Sequence, residues 1–269
     1  MTHPIPSGPL PAHAGHFLAG PSPARPAPWV LAAALISLGL FALDTWFPQL
    51  GWIALPLLWL GTLFHELGHG LAAIALGGEL VKLSIFPDGS GVAAHRGVYG
   101  PIDRAVIAAA GPLGAPLAGL MFFLALGHRH AARLLVAALA LLLALALLLW
   151  VRNLFALGFV AALALSLVLV AWRADERSLY LCCALLAVEM SLSAFTRMDY
   201  LFVRTAATGA GALPSDTEQI AQALWLPHWF WGALLALISL GIVLLGLWRA
   251  IRVGRAEPGR PKAPAAQLS

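Results

Sequence analysis

The chain has 269 residues, of which 61% are hydrophobic and only 10% charged. Soluble domains carry roughly 25% charged residues, so this composition excludes an ordinary soluble domain and indicates a polytopic membrane protein. The formal charge of +4 comes mostly from the C-terminal tail and suits placement at a membrane; no basic-aromatic surface argues for nucleic acid.

Residues 1–27 are rich in Pro, Gly, His and Ala and read as a flexible tail, with His3, His13 and His16 part of it. No basic segment precedes a hydrophobic one there, as a cleaved leader requires. The first apolar span is predicted from about Trp29 to Phe47, with Asp44 near its end, and Pro48 and Gly51 mark a turn. The second runs from about Trp52 to Leu76 and closes on Gly77-Gly78, a C-cap signal. The pattern then changes. Val81, Leu83 and Ile85 alternate with Lys82 and Ser84, Pro87-Asp88-Gly89-Ser90-Gly91 reads as a turn, and Val92 and Ala94 begin a return strand. A small β-hairpin over 79–98 is predicted. Strand edges cannot face lipid, so it must lie in protein, in a cavity or at the surface. It is either a plain connection or an edge able to pair with an extended peptide.

The third span, about Ile102 to Leu126, contains Ala108-Ala109-Ala110-Gly111-Pro112-Leu113-Gly114-Ala115-Pro116. Its prolines predict a kink and its small residues a close approach to the second helix. Gly127-His128-Arg129-His130 reads as an interfacial loop. Spans four and five follow, from about Leu134 to Val151 and from about Leu154 to Ala171, separated by Arg152-Asn153. The sixth, about Ser178 to Phe195, holds the adjacent pair Cys182-Cys183, the only cysteines, which indicate neither a disulfide framework nor a cysteine metal site. It also holds Glu189, an intramembrane carboxylate and so either functional or a hydrogen-bonded structural group. Residues 197–227 are a possible re-entrant segment, in which Ser215 and Glu218 resemble a capping box opening a short helix. The last span is predicted from about His228 to Leu247, followed by a basic tail over 249–269 with Arg249, Arg252, Arg255, Arg260 and Lys262. The expected fold is therefore an all-α polytopic membrane protein. It has about seven transmembrane helices in one domain over 28–248 and a hairpin after the second.

That second span carries His65-Glu66-Leu67-Gly68-His69. Residues four apart share a helix face, so His65 and His69 can reach one metal ion, with Glu66 beside them as general base for a water activated there. Groups this polar are costly in hydrocarbon unless paired, metal-bound or facing a wet cavity. The plain alternative is a helix whose polar residues bond to neighbouring helices. A catalytic zinc site takes three protein ligands, so a third is needed. Under seven spans the 197–227 segment lies on the same side as the end of the metal helix. Asp199 and Asp216 are both candidates, and Glu79 is a weaker one. Intramembrane His, Glu and Asp would equally suit a metal or solute transporter, and a non-catalytic membrane scaffold is a second alternative. No inverted repeat supports transport.

The string His65-Glu66-Leu67-Gly68-His69-Gly70-Leu71-Ala72-Ala73, then Gly77-Gly78, the hairpin turn Pro87–Gly91 and Ala110-Gly111-Pro112-Leu113-Gly114 resembles the site-2 protease family of intramembrane zinc metallopeptidases. It is nearest the compact bacterial M50B-like branch. The resemblance covers roughly residues 52–120. It implies Zn2+ as cofactor, a membrane-associated hairpin, membrane protein or peptide substrates, and residence in a bacterial cytoplasmic membrane. Larger relatives take their third ligand from a Leu-Asp-Gly motif, which this sequence lacks. The compact branch tends to carry a Ser-Asp pair before its last helix, and Ser215-Asp216 resembles it, which selects Asp216 over Asp199. Charge leaves two signals for topology. The basic tail favours a cytoplasmic C-terminus. Lys82, Arg96, Arg104, Arg152, Arg197, Arg204 and Arg25 against Arg129, Arg133, Arg173 and Arg177 favour a cytoplasmic hairpin.

Overall fold

The computed structural model describes residues 26–196 and 198–253. Both predicted tails fall mainly outside these residues, as does Arg197. In chain order the elements are α1 (Ala27–Trp46), a 3-10 turn (Pro48–Ile53), α2 (Leu55–Ala75), β1 (Glu79–Ile85), β2 (Gly91–Arg96), α3 (Pro101–Ala125), α4 (Arg129–Leu149), α5 (Leu154–Arg173) and α6 (Glu176–Thr196). A second 3-10 turn (Met198–Phe202), β3 (Thr205–Thr208), β4 (Gly211–Pro214), α7 (Asp216–Leu224) and α8 (His228–Val253) complete them.

The protein is an integral membrane protein. Among the described residues five helices, α3, α4, α5, α6 and α8, are long and apolar enough to cross a membrane. The apolar stretch of α1, Ala27–Leu43, is shorter. With its 21 residues, α2 is about 31 Å long, which matches a hydrocarbon core. His65, Glu66 and His69 dilute its apolar character, which is why it stands outside the five.

Lipid is as apolar as leucine, so helices in a membrane associate by close packing and polar contacts. The α2–α3 crossing shows this. A Cβ on Gly68 would lie 2.2 Å from the Ala110 carbonyl oxygen, and one on Gly114 would lie 2.7 Å from that of Phe64. The small residues around Gly111-Pro112-Leu113-Gly114 thus let the two backbones touch. α3 also packs on α6, α7 and α8, which makes it the central helix. A peripheral α1 rests on α6, where the Ser37 hydroxyl meets the Glu189 carboxyl.

The hairpin after α2 forms as predicted, antiparallel from Glu79↔Arg96 to Ile85↔Gly91, with an irregularity between Leu80 and Lys82. Its turn is tied to α2. The Trp59 indole donates to the Pro87 carbonyl (3.1 Å) and the Thr62 hydroxyl to that of Gly89 (2.6 Å). The outer edge of β1 is closed by the α4–α5 connection. Leu83 donates to the Trp150 carbonyl (2.8 Å), and the Asn153 side chain bonds both backbone groups of Ile85 (3.3 and 2.6 Å). Among the described residues β2 has β1 as its one strand partner.

The 197–227 segment differs from expectation. It contains a second hairpin, β3–β4, paired from Thr205↔Pro214 to Thr208↔Gly211. This hairpin leans on the first, with Gly209 N–H donating to Ser90 Oγ at 2.9 Å. The two hairpins and the α4–α5 turn therefore share one end of the bundle.

Candidate metal centre

Two elements supply the site. α2 presents His65 and His69 from successive turns, mid-helix. Glu66 sits between them in sequence and is buried. α7 brings Asp216 at its first position. His65 Nε2 lies 3.0 Å from Asp216 Oδ2, His69 Nε2 lies 3.2 Å from Asp216 Oδ1, and the two Nε2 atoms are 3.1 Å apart.

Asp216 is held there by its neighbour. The Ser215 hydroxyl donates to the Val203 carbonyl (2.6 Å) and accepts from Glu218 N–H (3.2 Å). The Ser215 N–H donates to the Arg204 carbonyl (2.9 Å), so the reciprocal half of the predicted capping box is replaced by a tie to the preceding hairpin. Asp216, Thr217, Ile220 and Ala223 form the buried face of α7, a helical stripe docked on α3 through Ala105 and Ala108. The carboxylate also sits at a helix N-terminus, where negative charge is favoured. Burial alone would raise its pKa. Positive charge on the imidazoles of His69 and His65 outweighs that and holds it well below the usual carboxylate range, a charge that a metal ion would supply in their place.

These atoms fit a metal ion. His69 Nδ1 contacts the Ile107 carbonyl at 2.7 Å. A carbonyl only accepts, so Nδ1 carries the hydrogen and neutral His69 turns the lone pair of Nε2 toward His65 and Asp216, the orientation that outer partners impose on metal-binding histidines. Asp216 Oδ2 is buried without a well-aligned hydrogen bond. Acceptor atoms that converge without donors repel one another, and a cation among them reverses this. Ligands of a tetrahedral zinc, at about 2.0–2.2 Å from the ion, stand roughly 3.3 Å apart. The observed separations are of that size. A side chain on Gly111 would meet His69 Nε2 at 2.2 Å, so the glycine of α3 keeps this space open.

Glu66 faces β2. A Cβ on Gly91 would lie 2.6 Å from Glu66 Cγ, and the Ala93 backbone N–H bonds the carboxylate. The cluster opens into a cleft of about 380 Å³ between β2 and the second hairpin, lined by Val92, His95, Tyr200, Ala206 and Leu213.

The structure thus gathers His65, Glu66, His69 and Asp216. Asp199 lies exposed in the second 3-10 turn and is not part of the cluster. Glu79 is paired with Arg96 across the hairpin (2.7 Å) and plays no part in the site. Glu189 is buried at the α1–α6 contact and makes the structural hydrogen bond with Ser37. His128 and His130 are exposed at the start of α4. Sequence reasoning missed two lining residues. Tyr200 packs edge-on against His65 with ring centroids 5.9 Å apart, and its hydroxyl lies beside Asp216. His95 is displayed by β2, and the alternation of that strand was the one available signal.

Two histidines and an aspartate with a buried glutamate beside them, inside an integral membrane protein, are consistent with an intramembrane metallopeptidase. The model of the Peptidase M50B-like family matches residues 28–246, and the chain belongs to that family. No curated protein and no solved structure matches it. Its enzyme class is that of a membrane zinc metallopeptidase.

Proposed function

We propose that the protein holds one zinc ion through His65, His69 and Asp216 and cuts peptide bonds of membrane-embedded or membrane-proximal proteins, with Glu66 as general base. The observation that carries this reading is the convergence of His65 Nε2, His69 Nε2 and the Asp216 carboxylate, all within 4.8 Å of one another, with a buried carboxylate alongside. When bound, zinc supplies Lewis-acid polarisation of the peptide carbonyl and lowers the pKa of water. Glu66 takes the water proton on its carboxylate and returns it to the leaving amine. The Ile107 carbonyl keeps the His69 imidazole in its ligand orientation.

A helical substrate keeps its carbonyls bonded internally and must be extended before it is cut. The outer edge of β2 lies along the cleft beside Glu66, and its backbone groups suit pairing with an extended peptide. In this reading α1 and α2 join the five apolar helices as spans, for seven in all. The protein resides in a bacterial cytoplasmic membrane, as its resemblance to the compact bacterial branch implies.

The test is reconstitution of the full chain into liposomes with a labelled single-span peptide bearing a central Gly-Pro. Cleavage is expected, lost on chelation by 1,10-phenanthroline and restored by zinc. Zinc flux into dye-loaded liposomes with no cleavage would favour the transporter reading instead.

A further inference from the structure

The cleft contains an imidazole that neither the metal cluster nor the general base uses. In β2, residues 93 and 95 are sheltered while 94 and 96 are exposed, so Ala93 and His95 share the inward face of the strand. Gly91 leaves room for Glu66 beside the strand, and the Ala93 backbone N–H at the strand edge faces its carboxylate. His95, two residues on, stands within electrostatic reach of His69. The strand therefore runs past the site with its backbone over the base and a histidine over the ligand one turn further along α2.

The surroundings of His95 define its use. Its ring rests edge-on against Tyr99 with centroids 5.5 Å apart, a contact that orients it. Nδ1 is buried and has no hydrogen-bond partner, a condition that in native proteins calls for an explanation. The other polar side chains of the cleft are occupied. The Tyr200 hydroxyl lies beside Asp216, Gln219 donates to the Pro214 carbonyl (3.3 Å), Gln222 to Glu218 (3.2 Å), and Thr208 to the Gly211 carbonyl (2.8 Å). His65 and His69 face the metal position. Apart from Asp216 Oδ2, which faces the metal position, His95 Nδ1 is the buried polar atom without a hydrogen-bond partner among the described lining residues, and an imidazole carries at least one N–H in either charge state.

We propose that His95 is a catalytic residue of this site, its ring N–H donating a hydrogen bond to the carbonyl oxygen of the peptide bond being cut. The proposal rests on the peptidase reading above. No proton leaves the ring. The hydrogen bond strengthens as the oxygen gains negative charge during attack, so it acts in the transition state more than in the bound substrate.

The experiment uses the full chain in liposomes and compares His95→Ala and His95→Gln with the unmodified protein. Zinc content is expected to stay at the unmodified level in both. His95→Ala should lower kcat by about 10²–10³-fold and shift KM by less than about threefold. His95→Gln, which retains an N–H donor, should recover at least a tenth of the activity. Binding supplies a readout independent of turnover. A phosphinic peptide that mimics the tetrahedral state should bind His95→Ala about 100-fold more weakly. The matching amide peptide, measured in the Glu66→Gln background, should bind unchanged. Equal weakening of both ligands, or an unchanged kcat, would overturn the role. Failure of the underlying reading looks different, because the unmodified protein would then lack zinc or Glu66→Gln would still cut.

Discussion

Glu66→Gln is expected to remove peptide hydrolysis while leaving the metal in place. Glu66 adjoins both histidines in sequence, yet it lies on a different face of α2 from their shared one and does not enter the three-residue ligand cluster. Its carboxylate points to β2, where Gly91 leaves room for it and the Ala93 N–H bonds it. The amide of Gln has the same size and can still accept from Ala93, so the local packing survives. It has no basic oxygen to accept the proton of water. Loss of a positioned general base costs about 10²–10⁴-fold in rate. Turnover of the reconstituted peptide and elemental analysis of the same preparation give the two numbers needed. Retained cleavage with normal zinc would remove Glu66 from the role of base.

The second large effect separates two aspartates. Asp216→Ala should strip zinc from the protein and stop proteolysis, whereas Asp199→Ala should keep both. The Asp216 oxygens lie 3.0 and 3.2 Å from the two imidazoles. Asp199 is exposed in a 3-10 turn and no ligand cluster includes it. Outer-sphere partners of metal ligands are each worth about 10–100-fold in affinity, and a direct ligand is worth more. Competition with a fluorescent zinc chelator should therefore show more than about a 100-fold loss for Asp216→Ala. The same loss in Asp199→Ala, with Asp216→Ala unaffected, would reverse the assignment.

How much of this was legible in the sequence depends on the range of the interaction that decides each feature. The helix that carries His65, Glu66 and His69 was legible because its signal is local. Two histidines four residues apart and an adjacent glutamate need only helical geometry to share a purpose. The first hairpin was legible for the same reason, from the alternation of Val81, Leu83 and Ile85 and the Pro87–Gly91 turn. β3 and β4 were not, because they are only four residues each, Thr-Ala-Ala-Thr and Gly-Ala-Leu-Pro. Strands so short and rich in Ala, Gly and Pro show neither periodicity nor β-propensity. What holds them is each other, the contact of Gly209 with Ser90 and the bond from Gln219 to the Pro214 carbonyl.

Asp216 was legible as a capping neighbour but separable from Asp199 only by resemblance. Its approach to His65 joins residues 151 apart in sequence. Glu189 was ambiguous for the same reason, since its partner Ser37 lies 152 residues away. Glu79 looked available until the register placed Arg96 opposite it. His95 carried no motif at all. Its meaning appears only when β2 is laid along α2 and its Nδ1 is found without a partner.

The central claim is that α2 and α7 together hold one zinc ion. X-ray absorption at the zinc edge, on the full chain extracted in mild detergent, addresses it most directly. The account predicts about one zinc per chain, surrounded by nitrogen and oxygen at about 2.0–2.2 Å with the outer-shell scattering of two imidazoles. That signal should be absent from the His65→Ala/His69→Ala double variant. A zinc signal undiminished in the double variant, or sulfur neighbours that would point to Cys182 and Cys183, would contradict it.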